Sequence, residues 1–219
     1  MQLIDLSHEI YDGLVTYKGL PAPIVCDYWE REKTAANYDD GSTFQIGKIE
    51  MVANTGTYID CPFHRYADGH DLAGLLLEHC TELETLVIQA PFEKNIEVGL
   101  SFFKNKNVKG KAVLINTGWS KFFGTEAYAS NHPFATEEAA IFLRDNGAKL
   151  VGIDSNNIDD TRKRTRPVHT TLLRQNILIV EHLANMDALP KRKKLLFSAV
   201  PPKFKGVGTF PVRAFVKTL

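Results

Sequence analysis

The stretch Ala135–Asp154, ATEEAAIFLRDNGAKLVGID, holds one helix and one strand and sets the class of the fold. Thr136 is placed to cap a helix N-terminus, with Glu137 and Glu138 in the first turn, where the helix dipole favours acidic side chains. Ala139, Ala140 and Leu143 form an apolar stripe, and Gly147 sits where the left-handed residue after a helix belongs. The run that follows, KLVGID, is short, β-branched and closed by Asp154, the pattern of a buried strand.

The same kind of run recurs on both sides. TLVIQA (85–90), KAVLINTG (111–118), NILIVE (176–181) and PVRAFVKTL (211–219) read as buried strands closed by Gly, Asp, Pro or Asn. QLIDLS (2–7) is a further short strand, and TFQIGKIEMVAN (43–54) alternates Phe44, Ile46, Ile49 and Met51 with one slip, as a half-buried strand or bulged hairpin does. Helices are expected around Val98–Lys104 and Leu183–Leu189, with a short turn at Thr171–Gln175. Strands alternating with helices predict an α/β fold with a mixed sheet, and no repeat or linker divides residues 1–219, so a single domain is expected.

Composition excludes several function classes. Lys+Arg and Asp+Glu number 26 each, so no net charge draws the chain to nucleic acid or anionic lipid. The basic runs TRKRTR (161–166) and KRKK (191–194) are short and lack interleaved aromatics, so neither nucleic acid nor membrane is expected as a partner; the first run lies close in sequence to a candidate site. Cys26, Cys61 and Cys80 are odd in number and widely spaced, which argues against a disulfide framework and a thiolate zinc knuckle. With no signal-like N-terminus and no long apolar span, the expected location is the cytoplasm.

Chemistry concentrates in NTGTYIDCPFH (54–64). Asp60 and His64 are four apart, but Pro62 between them forbids a helical pairing, so they belong to a strand end and the turn after it. A carboxylate and an imidazole at a strand mouth suit a divalent metal, although an Asp capping the turn and a partly exposed His would spell the same letters. His169 precedes a short turn, and Glu181 ends an apolar strand, where an isolated carboxylate is costly unless a cation or donors meet it. Alternatively, Glu181 caps or ion-pairs the segment at Leu183. His182 reads as a solvated or capping residue, Asp154 with SNN as turn-forming, and His8 is left open between a supporting and a surface role.

These segments together resemble the cyclase family of metal-dependent hydrolases, which includes bacterial kynurenine formamidase (arylformamidase) and isatin hydrolase. The resemblance runs nearly end to end through IDLSHEIYDGLVTYKGLPAP (4–23), LINTGW (114–119), LVGIDSNNID (150–159), PVHTTLLRQNILIVEHLANM (167–186) and FKGVGTFPVRAF (204–215). It implies a swivelling β/β/α fold, a homodimer or homotetramer, and hydrolysis of a small-molecule amide, either an aryl formamide such as N-formylkynurenine or a cyclic amide. The family signature is His-x-Gly-Thr-His-x-Asp-x-Pro-x-His. Asn54 and Tyr58 stand where its first two histidines stand, so the resemblance implies the loss of one ion's ligands. Asp60, His169 and Glu181 match the ligands of a second ion, Zn or Mn, His64 matches the proton donor and acceptor, and Tyr17 matches an aromatic of the substrate pocket. The alternative is a degenerate member that binds a small molecule without turning it over.

Overall fold

The computed structural model describes residues 1–219. Thirteen strands form: β1 Gln2–Asp5, β2 Ile24–Trp29, β3 Ile46–Glu50, β4 Tyr58–Asp60, β5 Leu83–Gln89, β6 Glu97–Val98, β7 Ala112–Asn116, β8 Phe134–Ala135, β9 Leu150–Ile153, β10 Leu178–Glu181, β11 Leu195–Ser198, β12 Thr209–Pro211 and β13 Phe215–Thr218. The α-helices are α1 Arg31–Thr34, α2 Glu137–Asp145 and α3 Pro167–Arg174.

Nine strands make one mixed sheet in the order β1-β13-β11-β5-β7-β9-β10-β4-β12. Its centre, β5-β7-β9-β10, is parallel, and antiparallel strands extend it on both sides. This is the expected α/β class with a mixed sheet. Strands β7, β9 and β10 are buried on both faces, which is why they read as continuous apolar runs, while β5, expected to be buried, is only partly covered. Along β7, Val113 and Ile115 join a core under α2 and α3, with Leu143, Val168, Leu172 and Leu173, while Ala112 and Leu114 join a second core with Ile59, Val180, Phe197 and Val216. Gly152 in β9 lets Leu114 and Leu183 close over the strand, because a Cβ there would lie 2.8 and 2.7 Å from their methyl carbons.

Helix α2 forms as expected: the Thr136 hydroxyl accepts from the Ala139 N–H at 3.3 Å, and Gly147 takes φ +74°. Three local expectations are corrected. At Val98–Lys104 there is only the end of β6 and a single 3₁₀ turn, Leu100–Phe102, after an extended Gly99. At Leu183–Leu189 the N–H groups of Leu183 and Ala184 bond to Ile153 and Leu6, and Asn185 at φ +53° leaves only a 3₁₀ turn at Met186–Ala188. The expected turn at Thr171–Gln175 is instead the end of α3, which starts at Pro167 and whose first N–H groups are met by distant Asp159. The alternating 43–54 stretch supplies β3, which pairs only with β2, a bulge lying between Asp27 and Trp29. This ribbon is not half-buried: Ile24, Tyr28, Trp29, Ile46 and Ile49 are all exposed, because no other layer covers it.

Candidate metal centre

The site is assembled by the register of β4 between β10 and β12. Tyr58 faces Glu181 across one ladder, and Asp60 faces Thr209 across the other. Alternation puts Tyr58 and Asp60 on one face and Ile59 in the core on the other. That polar face is the one α3 packs against, so His169 in its first turn reaches the two carboxylates. The Nε2 of His169 lies 3.6 Å from Asp60 Oδ2 and 3.6 Å from Glu181 Oε1. His64, on the turn after β4, completes a group in which the ligand atoms of Asp60, His64 and His169 all lie within 4.8 Å of one another.

Each side chain is held from behind. Asp159 accepts from the N–H groups of Val168 (2.8 Å) and His169 (3.0 Å) and from His169 Nδ1 at 2.6 Å, which leaves Nε2 aimed at Asp60 and Glu181. Glu181 accepts from the Tyr58 hydroxyl at 2.6 Å, the Ile158 N–H at 2.6 Å and, more weakly, Asn157 at 3.4 Å. The Thr209 hydroxyl donates to Asp60, so its contact of 2.8 Å with His64 Nδ1 is donated by the ring N–H, leaving Nε2 as the basic nitrogen of His64. Gly69 and Gly208 press on the turn that carries His64. A Cβ on Gly208 would lie 2.3 Å from the His64 backbone nitrogen, and one on Gly69 would lie 2.6 Å from Pro62 Cβ.

Electrostatics follow from this burial. Burial by itself would lower His169, but Glu181, Asp159 and Asp60 outweigh it and push the imidazole up to about 10. Burial raises Glu181, opposed by the His169 imidazole. Burial would also raise Asp60, yet His169, His64 and Thr209 hold it below the usual carboxylate range. The Tyr58 phenol is pushed well above its ordinary value by burial and then by Glu181 and Asp60, so it is a protonated donor.

The residues present fit a divalent ion. Asp60 Oδ2 is buried without a hydrogen-bond partner, and at 3.6 Å its separation from His169 Nε2 is too long for a hydrogen bond. A tetrahedral zinc site with bonds of about 2.1 Å has ligand atoms about 3.4 Å apart, close to the spacings here. An unmet carboxylate oxygen at such a distance from an imidazole nitrogen that a second carboxylate also approaches is what an ion would satisfy.

Tyr17, Asn54, Tyr58, His64, His169 and Glu181 all line one cavity of about 420 Å³, so the site residues expected from sequence converge. Sequence reasoning missed Asp159, Thr209, Asn157 and the cavity's Arg65, and it marked Arg166 only as part of a basic run close to a candidate site. The one available signal was the density of polar residues in SNNIDD. His182 is corrected: it is fully buried rather than solvated, with Nδ1 3.0 Å from the Tyr128 hydroxyl. His8 stacks on Phe123 at 3.7 Å, and Asp154, expected to form a local turn, is instead buried and accepts from Thr117 and Gly118 in the loop after β7. A larger groove of about 1490 Å³ beside His8, Phe123 and Asp187 contains none of the candidate ligands.

Residues 4–160 match the Cyclase family model. The chain belongs to the Cyclase family. Among curated Cyclase relatives, the kynurenine formamidase of Bacillus cytotoxicus is 24% identical over 217 residues, covering 99% of this chain and 97% of that protein. The kynurenine formamidase of Erythrobacter litoralis is 26% identical over 181 residues, 83% of this chain and 81% of that one. The crystal structure of an isatin hydrolase bound to the product analogue thioisatinate shares the fold, with a TM-score of 0.82 at 21% identity over 98% of this chain and 91% of that one. No helix of this Cyclase member is long and apolar enough to cross a membrane.

Proposed function

We propose that the protein is a metal-dependent hydrolase of small amides, acting on an aryl formamide such as N-formylkynurenine or on a cyclic amide. One divalent ion, zinc or manganese, is held by Asp60, His169 and Glu181. The observation that carries this reading is the buried, unpartnered Asp60 Oδ2, set 3.6 Å from the same His169 nitrogen that Glu181 approaches. The family names of the relatives support amide hydrolysis. When bound, the ion supplies Lewis-acid chemistry, lowering the pKa of water toward about 7 and stabilising oxyanion charge.

The chain's own groups do the rest. His64, anchored through Nδ1 to Thr209, offers Nε2 to take a proton from the attacking water and return it to the leaving nitrogen. Asp159 sets the tautomer of His169, and Tyr58 with Ile158 orients Glu181. Tyr17 flanks the cavity and presents an aromatic surface to an aryl substrate. Asn54 and Tyr58 occupy the positions of two family histidines, and the Tyr58 hydroxyl is committed to Glu181, which supports one ion rather than two.

Residues 1–219 act, in this reading, as a single domain in a cytoplasmic homodimer or homotetramer. The exposed β2–β3 ribbon supports the oligomer, since a two-stranded ribbon bearing Ile24, Tyr28, Trp29 and Ile49 is marginal without a covering surface. The test is elemental analysis of protein purified without chelator, with formamide hydrolysis assayed before and after zinc or manganese addition. Bound metal or metal-dependent rescue is expected. No metal and no rescue, with ligand affinity independent of metal and of His64→Ala, would replace this reading with that of a small-molecule binding protein.

A further inference from the structure

The cavity divides into two zones of opposite charge. Its deep end is acidic: Glu181 and His169 line it, with Asp60 and Asp159 buried behind them against His169. Its mouth is basic, because Lys18, Arg65 and Arg166 line the same 420 Å³ space. No carboxylate oxygen pairs with any of these three. Two nearby arginines behave differently: Arg162 is bonded to Asp160 at 2.8 Å and Arg174 to Asp68 at 3.1 Å, and each also lies over an aromatic ring, Phe134 and Tyr66 respectively. The three cations at the rim therefore keep no counter-charge from the chain itself.

Two of them are also pre-set. Arg166 directs Nη1 to the carbonyls of Lys163 (2.8 Å) and Thr165 (2.9 Å), which fixes the guanidinium and leaves its remaining N–H groups free. Arg65 is tethered through Nε to the Thr170 hydroxyl at 3.3 Å, leaving both terminal nitrogens uncommitted. Arg65 directly follows His64, and Arg166 immediately precedes α3, which carries His169. The two turns that place the candidate chemistry therefore also place the cations. A planar guanidinium with one edge of two free N–H groups matches a carboxylate, and one anchored in advance loses less side-chain entropy on binding.

We propose that the cavity selects amides bearing a carboxylate remote from the scissile bond, with that oxyanion held at the mouth by Arg65 and Arg166, assisted by Lys18. This deepens the hydrolase reading above and rests on it. The scissile carbonyl points to the acidic, metal-holding end and the anionic end of the substrate to the basic rim, so each end meets its complement. A neutral cyclic amide uses only the first half of this arrangement.

The probes are formanilide, 4-formamidobenzoate and the methyl ester of 4-formamidobenzoate, which share ring and formamide and differ only in the remote group. With zinc-loaded protein, kcat/KM for 4-formamidobenzoate should exceed that for its methyl ester by about tenfold or more, the scale of one charge-assisted contact. In the Arg65→Gln/Arg166→Gln double variant this ratio should collapse toward unity, the loss falling on KM rather than kcat, and added salt should erode it in the wild type. Zinc content and melting temperature of the variant establish that the fold and the ion are retained. An equal preference for acid and ester, or a preference that survives the double substitution, overturns the proposal while leaving the hydrolase reading intact. If no probe is hydrolysed, the aryl-formamide reading fails, and calorimetric binding of the acid against the ester to wild type and double variant still decides the rim: equal affinities reject it.

Discussion

Replacing Tyr58 with phenylalanine removes one oxygen from a fully buried position and leaves the ring in place. In the native structure, Glu181 Oε2 accepts from that hydroxyl at 2.6 Å, and its only other donor is Asn157 at 3.4 Å; the Ile158 N–H serves the other oxygen. The carboxylate would thus lose its strong donor on one side while staying buried, Tyr58 and Glu181 being only 2% and 1% exposed. Losing a hydrogen bond to a buried charged acceptor costs about 1.5–3 kcal/mol. Part of that cost should appear as stability of the metal-free protein and part as weaker metal binding, since groups that orient a ligating carboxylate are worth about 10–100-fold in affinity. The assay is thermal unfolding of chelator-treated protein together with calorimetric zinc titration of wild type and Tyr58→Phe. A lower melting temperature and a zinc affinity reduced at least tenfold are expected. Unchanged melting and unchanged zinc affinity would show that Tyr58 does not hold Glu181 for the ion, and would falsify the account of why this position is a tyrosine.

Three further outcomes follow from the same geometry. Asp159→Asn keeps the shape but offers an amide where His169 Nδ1–H and two backbone N–H groups now meet a carboxylate, so zinc affinity should fall about 10–100-fold, with His169 tautomer populations shifting in nitrogen NMR; unchanged affinity would count against its positioning role. His169 is raised to about 10 in the metal-free protein, so the stability it contributes is fully present below its unfolded value near 6.5 and is lost as pH rises through about 10. Across that window zinc must displace a proton, so apparent zinc affinity should rise with pH and the binding heat should depend on the buffer's ionisation enthalpy; a buffer-independent heat would show His169 already neutral. Gly208→Ala drives a Cβ to within 2.3 Å of the His64 nitrogen, so the turn must shift; kcat should fall by about 10²-fold if the displacement approaches 1 Å, with about 1–3 kcal/mol lost in stability, and wild-type values for both would mean the segment moves aside freely.

Much of this architecture is legible locally, because buried parallel strands must be short and continuously apolar and α2 carries its own caps. The helix missed at Pro167–Arg174 has its start satisfied by Asp159, eight to ten residues upstream, and no local pattern announces a cap supplied from that distance. The segment Leu183–Leu189 failed for the converse reason: its apolar spacing suits a helix, but its first N–H groups are taken by strands remote in sequence. The β2–β3 ribbon alternates as a half-buried strand should, and only the absence of a covering layer exposes its apolar side chains.

The sequence by itself determined the α/β class, the mixed sheet, the neutral charge balance, and the candidates Asp60, His64, His169 and Glu181. Those depend on residue type and on hydrophobic period, which are local properties. Only the tertiary structure decided that the four converge, since Asp60 and Glu181 are brought together by the β4–β10 register and His169 by a helix packed on that face. It also decided that Tyr58 serves Glu181 as a protonated donor, that Thr209 sets which nitrogen of His64 is basic, and that Arg65 and Arg166 share a cavity with them. The Tyr58–Glu181, Thr209–His64 and Arg65–Arg166 pairs each join residues about a hundred or more positions apart, and such a distance exists only once the sheet has closed.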